Sequence, residues 1–209
     1  MSPLSHISGV ILAGGQSRRF GGGDKGLLDL GGRPVLAHVI ERMQPQVGQL
    51  ILNANGDISR FARFGLEIVS DSHCPGQGPL SGLLAALEWA EQHAPGGAVA
   101  TVSTDVPFLP LDLVERLDAA RHDGVAIAAS AGRRHPTIGL WPMSARDAIA
   151  DALRCGDLSV DRLAAKLKAV VVSFPMREID GQALDPFFNV NTPDDLAAAR
   201  ILLAKSRER

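Results

Sequence analysis

Ile7-Ser8-Gly9-Val10-Ile11-Leu12-Ala13-Gly14-Gly15-Gln16-Ser17-Arg18-Arg19-Phe20-Gly21-Gly22-Gly23-Asp24-Lys25 runs from a short apolar stretch straight into a glycine-rich loop. Ile7–Leu12 reads as a buried strand, and the loop begins where that strand ends. Glycines there let backbone N–H groups approach an anion closely and take up positive φ. Arg19 and Lys25 add cationic donors suited to phosphate. Residues 1–28 carry Arg18, Arg19 and Lys25 against Asp24 alone, a local positive excess in a chain of net charge −2. At an effective dielectric of about 20, one contact between unit charges at ~4 Å is worth about 4 kcal/mol before desolvation. A triphosphate therefore has an attractive local target. The bland alternative is a loop whose glycines only turn the chain.

Two standard phosphate-binding motifs fail here. Walker A needs Gly-Lys-Ser/Thr, and Asp24-Lys25-Gly26 stands in its place. Gly21–Gly26 matches G-x-G-x-x-G by letter, but it does not follow the strand directly, and Leu27–Gly32 does not open a helix. The dinucleotide reading is discarded.

Working outward, apolar runs alternate with amphipathic stretches. Gln49–Asn53, Leu66–Ser70, Gly97–Val102, Val125–Ala129, Thr137–Trp141 and Ala169–Phe174 read as strands. Helices are expected from Pro34 to about Gln46, around Leu113–Leu117, over Ser144–Leu153, over Ser159–Lys166 and after Thr192. Leu80, Leu83, Leu84 and Leu87 mark one face of a further helix. Thr192-Pro193-Asp194-Asp195 opens the last one with a capping residue, a first-turn proline and acids at the positive end of the dipole. The alternation predicts an α/β fold, a three-layer, mostly parallel open sheet with helices on both faces, as one domain over residues 1–209.

With 45% apolar and 21% charged residues, the chain can bury a sizeable core. It has no basic excess overall, and its aromatics are 4% with no tyrosine. Binding to nucleic acid or to an anionic membrane by charge or base stacking is not expected. Cys74 and Cys155 stand far apart and form neither a zinc pattern nor a redox pair, which fits a reduced, cytoplasmic setting. No apolar run reaches the ~18 residues of a membrane span.

In such sheets ligands bind beyond the carboxyl ends of strands, so residues at those ends are the candidates. Asn53-Ala54-Asn55 offers donors and acceptors for a base or ribose, or simply makes a turn. Asp71 ends the third strand, and Gly76-Gln77-Gly78-Pro79-Leu80-Ser81-Gly82 opens a helix that could receive base, ribose or phosphate oxygens; Asp71 could equally cap a turn. Asp105, in Ser103-Thr104-Asp105-Val106-Pro107, is the first choice of Mg²⁺ ligand, since Mg²⁺ on a triphosphate takes one or two protein carboxylates. Arg133-Arg134-His135-Pro136-Thr137 is expected to precede a strand and could meet an anionic acceptor. Asn189 and Asn191, in Asn189-Val190-Asn191-Thr192-Pro193, fall on one side of an extended segment.

The Leu-Ala-Gly-Gly-x-x-x-Arg-x-Gly-x-x-Asp-Lys pattern resembles the signature of nucleotidyltransferases with a Rossmann-like fold. With Gly-Pro-Leu-x-Gly, Asp-x-Pro, His-Pro-Thr-Ile and Asn-Val-Asn-Thr-Pro in this order, the chain is similar, from Gly9 to about Leu196, to the molybdenum cofactor guanylyltransferases. The resemblance implies transfer of GMP from GTP to the terminal phosphate of molybdenum-molybdopterin, with Mg²⁺ as cofactor. It implies GTP contacts at Leu12, Ala13, Gly14, Lys25, Asn53, Asp71 and Asp105, with Asp105 holding the metal. Gly15, Arg19, Gly22, Gly78, Gly82, Asn189 and Asn191 match further active-site positions. Lys25, Arg19 and Asp105 are the expected catalytic residues. Gly15, Gly78 and Gly82 are expected at the nucleotide, and Asn189, Asn191 and His135 on the acceptor side. Transient contacts with cofactor-biosynthesis proteins and receiving molybdoenzymes follow from the same resemblance. Phe20 stands where the family often has Met, and Gly156–Val160 replaces a more basic segment. The rivals are cytidylyl transfer to molybdopterin, nucleotidyl transfer to a sugar phosphate, and a GTP-binding module without chemistry.

Overall fold

The structure is a computed structural model that describes residues 4–13, 24–71 and 76–207. Its strands are β1 (Leu4–Leu12), β2 (Asp29–Leu30), β3 (Arg33–Pro34), β4 (Val47–Asn53), β5 (Glu67–Val69), β6 (Ala98–Ser103), β7 (Ala126–Ser130), β8 (Arg133–Pro142), β9 (Val170–Ser173), β10 (Arg177–Ile179) and β11 (Gln182–Leu184). Its α-helices are α1 (Val35–Met43), α2 (Pro79–His93), α3 (Leu113–Arg121), α4 (Arg146–Arg154), α5 (Val160–Lys166) and α6 (Pro193–Arg207).

Seven strands form one sheet in the order β5-β4-β1-β6-β8-β7-β9. All pairs are parallel except those of β8, which runs against both β6 and β7. Alternation along each strand splits the core in two. Ile7 and Ile11 of β1, with Ala98, Ala100 and Val102 of β6, face α1 and α3. Val10, Leu12 and Val99 face α2, α4 and α5. A register slip of one residue would send each set to the wrong layer. This is the expected three-layer sandwich.

Helix α2 departs from the one-faced helix its leucines predict. Ser81, Gly82, Ala85, Ala86, Trp89 and Ala90 are buried beside Leu80, Leu83, Leu84 and Leu87. The helix packs on the sheet and beside α4, which covers more than one of its faces.

The carboxyl-terminal quarter adds a third cluster. The β10–β11 hairpin and α6 pack Ile179, Leu184, Leu196, Ala199 and Leu202 around Leu30, Val35, Phe108 and Val190. The α6 cap forms as its sequence predicts: Asp195 N–H donates to Thr192 Oγ1 at 3.1 Å, and Thr192 N–H donates to Asp195 Oδ2 at 2.8 Å.

One boundary is corrected. Arg133-Arg134-His135 do not precede a strand but begin β8, pairing with Ala128–Ser130. The ladder is irregular between Ile127 and Ala128: Ile127 faces Gly139 while Ala128 faces His135. Pro136 lies in that skipped stretch and has no N–H for a ladder, which divides the strand into two paired halves. Proline therefore marks an interruption within the strand, not its beginning.

Candidate functional site

Leu12 of β1 pairs with Asn53 of β4 on one side and Ser103 of β6 on the other. Three strand ends thus lie in one row at the carboxyl edge of the sheet. Ala13 N–H donates to the Asn53 carbonyl at 2.8 Å, carrying the ladder past the strand end.

Lys25 reaches this row from the short 3₁₀ turn Lys25–Leu27. Its Nζ lies 3.8 Å from Asp105 Oδ2 and donates to Asn191 Oδ1 at 2.5 Å. Ser103 Oγ donates to Asp105 Oδ1 at 2.8 Å. Asn189 turns its amide nitrogen to the same oxygen at 2.6 Å, because the opposite orientation would set an amide oxygen against a carboxylate. The Val190 N–H donates to the Asp105 carbonyl at 2.9 Å. The two asparagines thus divide the work: Asn189 faces the carboxylate and Asn191 the ammonium.

Burial pushes the Asp105 carboxyl above its ordinary value, and the Ser103 hydroxyl and then the Lys25 charge oppose this without cancelling it. The carboxylate side chain keeps 16% exposure at the edge of the sheet. Among the described residues no three His, Cys, Asp or Glu side chains gather into a metal-holding group. A single partly exposed carboxylate at an open edge fits an Mg²⁺-type ion whose other ligands are phosphate and water.

A second node lies one strand away. Asn53 Nδ2 donates to Asp71 Oδ1 at 2.9 Å and to the Val69 carbonyl at 3.0 Å, and Asn55 Nδ2 donates to Asp71 Oδ2 at 2.8 Å. Gly76 N–H also reaches Asp71 Oδ2, at 3.2 Å. Asp71 therefore organises both asparagines. Helix α2 begins beside them. Gly78 sits at its N-cap with φ 83° and ψ −162°, a conformation open essentially to glycine alone. A Cβ on Gly82 would lie 2.2 Å from Asn53 Oδ1 and 3.0 Å from Leu12 Cδ2, so the absence of a side chain lets the helix meet the strand ends.

Arg60 was not singled out by sequence. Its Nε donates to Asp24 Oδ2 at 2.5 Å, its Nη2 to the Asn55 carbonyl at 3.0 Å, and its Nη1 to the Asp57 carbonyl. Its guanidinium lies over the Phe61 ring at 4.5 Å. Asp24 immediately precedes Lys25, so Arg60 pins the backbone that delivers the lysine. An arginine in an Ile-Ser-Arg-Phe run carries no sequence signal for this.

His135 also lies at the carboxyl edge, on β8. Its Nε2 is 2.8 Å from Ser130 Oγ, and its ring is 4.9 Å from that of Phe187. Burial pulls the imidazole below its ordinary value, Asp185 opposes, and Arg133 adds to the lowering. Gly14, Gly15, Arg19 and Gly22 lie outside the described residues, as do His73 and Cys74. Among the described residues no helix is long and apolar enough to cross a membrane.

The chain resembles known proteins along nearly its whole length. Residues 9–172 match the family model described as the MobA-like NTP transferase domain. A molybdenum cofactor guanylyltransferase of Mesorhizobium japonicum is 51% identical over 201 residues, covering 94% of this chain and 96% of that protein. One from Rhodopseudomonas palustris is 48% identical over 204 residues, covering 95% of each. The crystal structure of molybdopterin-guanine dinucleotide biosynthesis protein A from Archaeoglobus fulgidus superposes with a TM-score of 0.74 at 26% identity, covering 95% of this chain and 99% of that one. The family model ends before Asn189 and Asn191, whereas the full-length relatives extend over nearly the whole chain. With its Lys25–Asp105 pair at the carboxyl edge of the sheet and this likeness along its length, the chain belongs to the MobA-like NTP transferase family, among the molybdenum cofactor guanylyltransferases.

Proposed function

We propose that the chain transfers GMP from GTP to the terminal phosphate of molybdenum-molybdopterin, forming the guanine dinucleotide cofactor and releasing pyrophosphate. An oxygen of the acceptor phosphate attacks the α-phosphorus of GTP. The bond from that phosphorus to the bridging oxygen breaks, and its electron pair leaves with pyrophosphate. The nucleophile is already ionised at neutral pH, so no general base is needed. Catalysis rests on positioning and on stabilising charge.

The observation that carries this reading is the approach of Lys25 Nζ to Asp105 Oδ2 at 3.8 Å, with Asn191 on the lysine and Ser103 on the carboxylate. Lys25 neutralises charge on the α-phosphoryl and pyrophosphate oxygens. Asp105 holds Mg²⁺, which when bound screens the triphosphate and supplies Lewis acidity to it. Leu12, Ala13, Asn53, Asp71, Gly78 and Gly82 frame the nucleoside, with Asp71 acting largely through Asn53 and Asn55. Arg19, Gly14 and Gly15 complete the triphosphate cradle in this reading. His135 lies toward the acceptor. The reaction is assigned to the cytoplasm, where unpaired thiols persist.

The test is pyrophosphate release from GTP with molybdenum-molybdopterin, run beside CTP and ATP and beside glucose 1-phosphate as acceptor. GTP with molybdopterin alone should give rapid release. Equal or faster release with CTP overturns guanylyl transfer, and release with the sugar phosphate alone moves the chain to a different substrate class. GTP binding with no release from any acceptor leaves a nucleotide-binding module.

A further inference from the structure

A buried serine contacts His135 of the site just described. Ser130, at the end of β7, is 2% exposed. Its Oγ donates to Asp185 Oδ1 at 2.7 Å and lies 2.8 Å from His135 Nε2. A serine hydroxyl has one proton. With that proton on Asp185, His135 must donate its Nε2–H to Ser130, which leaves Nδ1 as the free nitrogen of the neutral ring. The order aspartate–serine–histidine places the serine between the other two. It is therefore no nucleophile activated by a histidine.

The cluster does hold a segment of chain in place. Asp185 Oδ1 also accepts from Phe187 N–H at 2.8 Å, and its carbonyl accepts from Phe188 N–H at 3.0 Å, so Asp185 closes the turn that follows β11. Phe187 then sinks between Phe174, at a ring distance of 5.2 Å, and His135. Beyond the turn come Asn189 on Asp105, Val190 N–H on the Asp105 carbonyl, and Asn191 on Lys25. The far end is fixed by Asp195 Oδ2, which accepts from the N–H groups of Asn191 and Thr192 at 3.0 and 2.8 Å. Residues 185–191 thus form a strap across the carboxyl edge of the sheet, tied at Ser130 and at Asp195. Every contact the strap makes with Asp105 and Lys25 lies between the two ties.

We propose that Ser130 and Asp185 are positioning residues for guanylyl transfer: their buried hydrogen bond sets the strap so that Asn189 and Asn191 hold Asp105 and Lys25 in one arrangement, and the same serine orients His135. The inference rests on the reading of Asp105 and Lys25 as the metal and phosphate groups. Ser130 and Asp185 touch no reacting atom. They act through the strap and the imidazole.

The test compares Asp185→Ala, Asp185→Asn and Ser130→Ala in the full chain. Asn keeps the Oδ1 that accepts from Ser130 and from Phe187 N–H, whereas Ala removes it. Three quantities are read: the Mg²⁺ concentration for half-maximal GTP binding by calorimetry, turnover with the molybdopterin acceptor, and the thermal midpoint. Asp185→Ala and Ser130→Ala should each raise the Mg²⁺ half-saturation by about fivefold, the factor set by one lost buried hydrogen bond, and lower turnover at least as much. Asp185→Asn should stay within about twofold of the parent on both, on the same grounds. A folded Ala variant that loses thermal stability but keeps the parent's Mg²⁺ half-saturation overturns the proposal, as does equal impairment of Asp185→Ala and Asp185→Asn. Should Asp185→Ala not fold, Ser130→Ala with Asp185→Asn decides by the same criteria. A parent chain that binds GTP with Mg²⁺ but releases no pyrophosphate defeats the transferase reading and leaves the binding test of the strap intact.

Discussion

Lys25 Nζ stands 3.8 Å from Asp105 Oδ2, while the amide oxygen of Asn191 sits 2.5 Å from the same nitrogen. The ion pair is too long for a direct hydrogen bond. Asn191, rather than the carboxylate, takes the lysine's shortest contact. The ammonium is therefore held in place without being consumed by its nearest acid, and both charges stay available to a bound metal triphosphate.

The first prediction follows from that geometry. Lys25→Ala and Asp105→Ala should each lower turnover by well over tenfold, since losing one preorganised charge-stabilising group costs ~10²–10³ in rate. Steady-state pyrophosphate release measures it, and turnover within threefold of the parent would remove these residues from their assigned roles.

Stability should move the other way. The Asp105 carboxyl is raised above its ordinary value by burial, so the folded state holds its proton more tightly than the unfolded state does. Its contribution is favourable below the unfolded value of about 3.9 and is lost as pH rises through the higher folded value. At pH 7 without metal, Asp105→Asn should thus raise the thermal midpoint, by about 2–4 °C per kcal/mol relieved in a chain of this size. The gain should vanish at pH 3. Added Mg²⁺ and GTP should raise the parent's midpoint and leave the variant's nearly still. A variant less stable than the parent at pH 7 in EDTA would show that Asp105 is stabilising in its ionised form.

Much of this was legible in the sequence because it was written in period and punctuation. The apolar runs of β1 and β6 fixed a parallel core, and Thr192-Pro193-Asp194-Asp195 announced the last helix. Lys25 and Asp105 pointed to one crevice because the segments that carry them follow strands. The rest depended on pairings between distant positions. Nothing local to Arg60 says that it will hold Asp24, nor anything local to Ser130 that it will meet Asp185. The antiparallel course of β8 was equally hidden, since an apolar run does not state its direction and the polar Arg133-Arg134-His135 read as lying ahead of the strand.

Gly82 tests the close approach of α2. A methyl there would fall 2.2 Å from Asn53 Oδ1, and Asn53 cannot yield freely because its Nδ2 is bound to both Val69 and Asp71. Gly82→Ala gains up to ~1 kcal/mol of helix propensity. That gain offsets only part of the clash, since overpacking a tight site costs about 1–3 kcal/mol, so the thermal midpoint should fall by a few degrees at most. GTP affinity should fall at least tenfold, about 1.4 kcal/mol. Calorimetry with GTP decides, and unchanged affinity would detach Gly82 and Asn53 from the nucleotide.

Arg60→Met should separate delivery of Lys25 from the chemistry it performs. Methionine keeps apolar contact with Phe61 but loses the bond to Asp24 and the two backbone carbonyls. The pair is partly exposed, with side-chain exposures of 27% and 23%, so the fold should survive. The KM for GTP should rise about fivefold or more while kcat falls less, the pattern of lost ground-state binding. An unchanged KM would mean that the turn at Lys25 holds its position without Arg60.

His135→Gln probes the acceptor side. Glutamine can still donate to Ser130, so the strap should stay in place and the KM for GTP should remain within twofold. At pH 7, where the ring is neutral and Nδ1 has no proton to donate, the KM for the acceptor should change little; once the ring is protonated, the parent should bind the acceptor severalfold more tightly than the variant, on the order of one hydrogen bond to a charged group. The pH dependence carries the sharper contrast. Burial and Arg133 hold the imidazole below its ordinary value, so at pH 7 and above it is neutral, and the acceptor KM of the parent should show no histidine-linked change there. On the acid side the ring gains a proton at Nδ1 and becomes a cationic donor to phosphate, so acceptor binding should tighten as pH falls. A phosphate monoester also titrates near pH 6, which makes the ratio of variant to parent the quantity to follow. That ratio should climb below about pH 6.5, the ordinary histidine value. A ratio that stays flat from pH 8 down to the lowest pH at which the chain remains folded would place His135 outside the acceptor site and leave it as the partner of Ser130 alone.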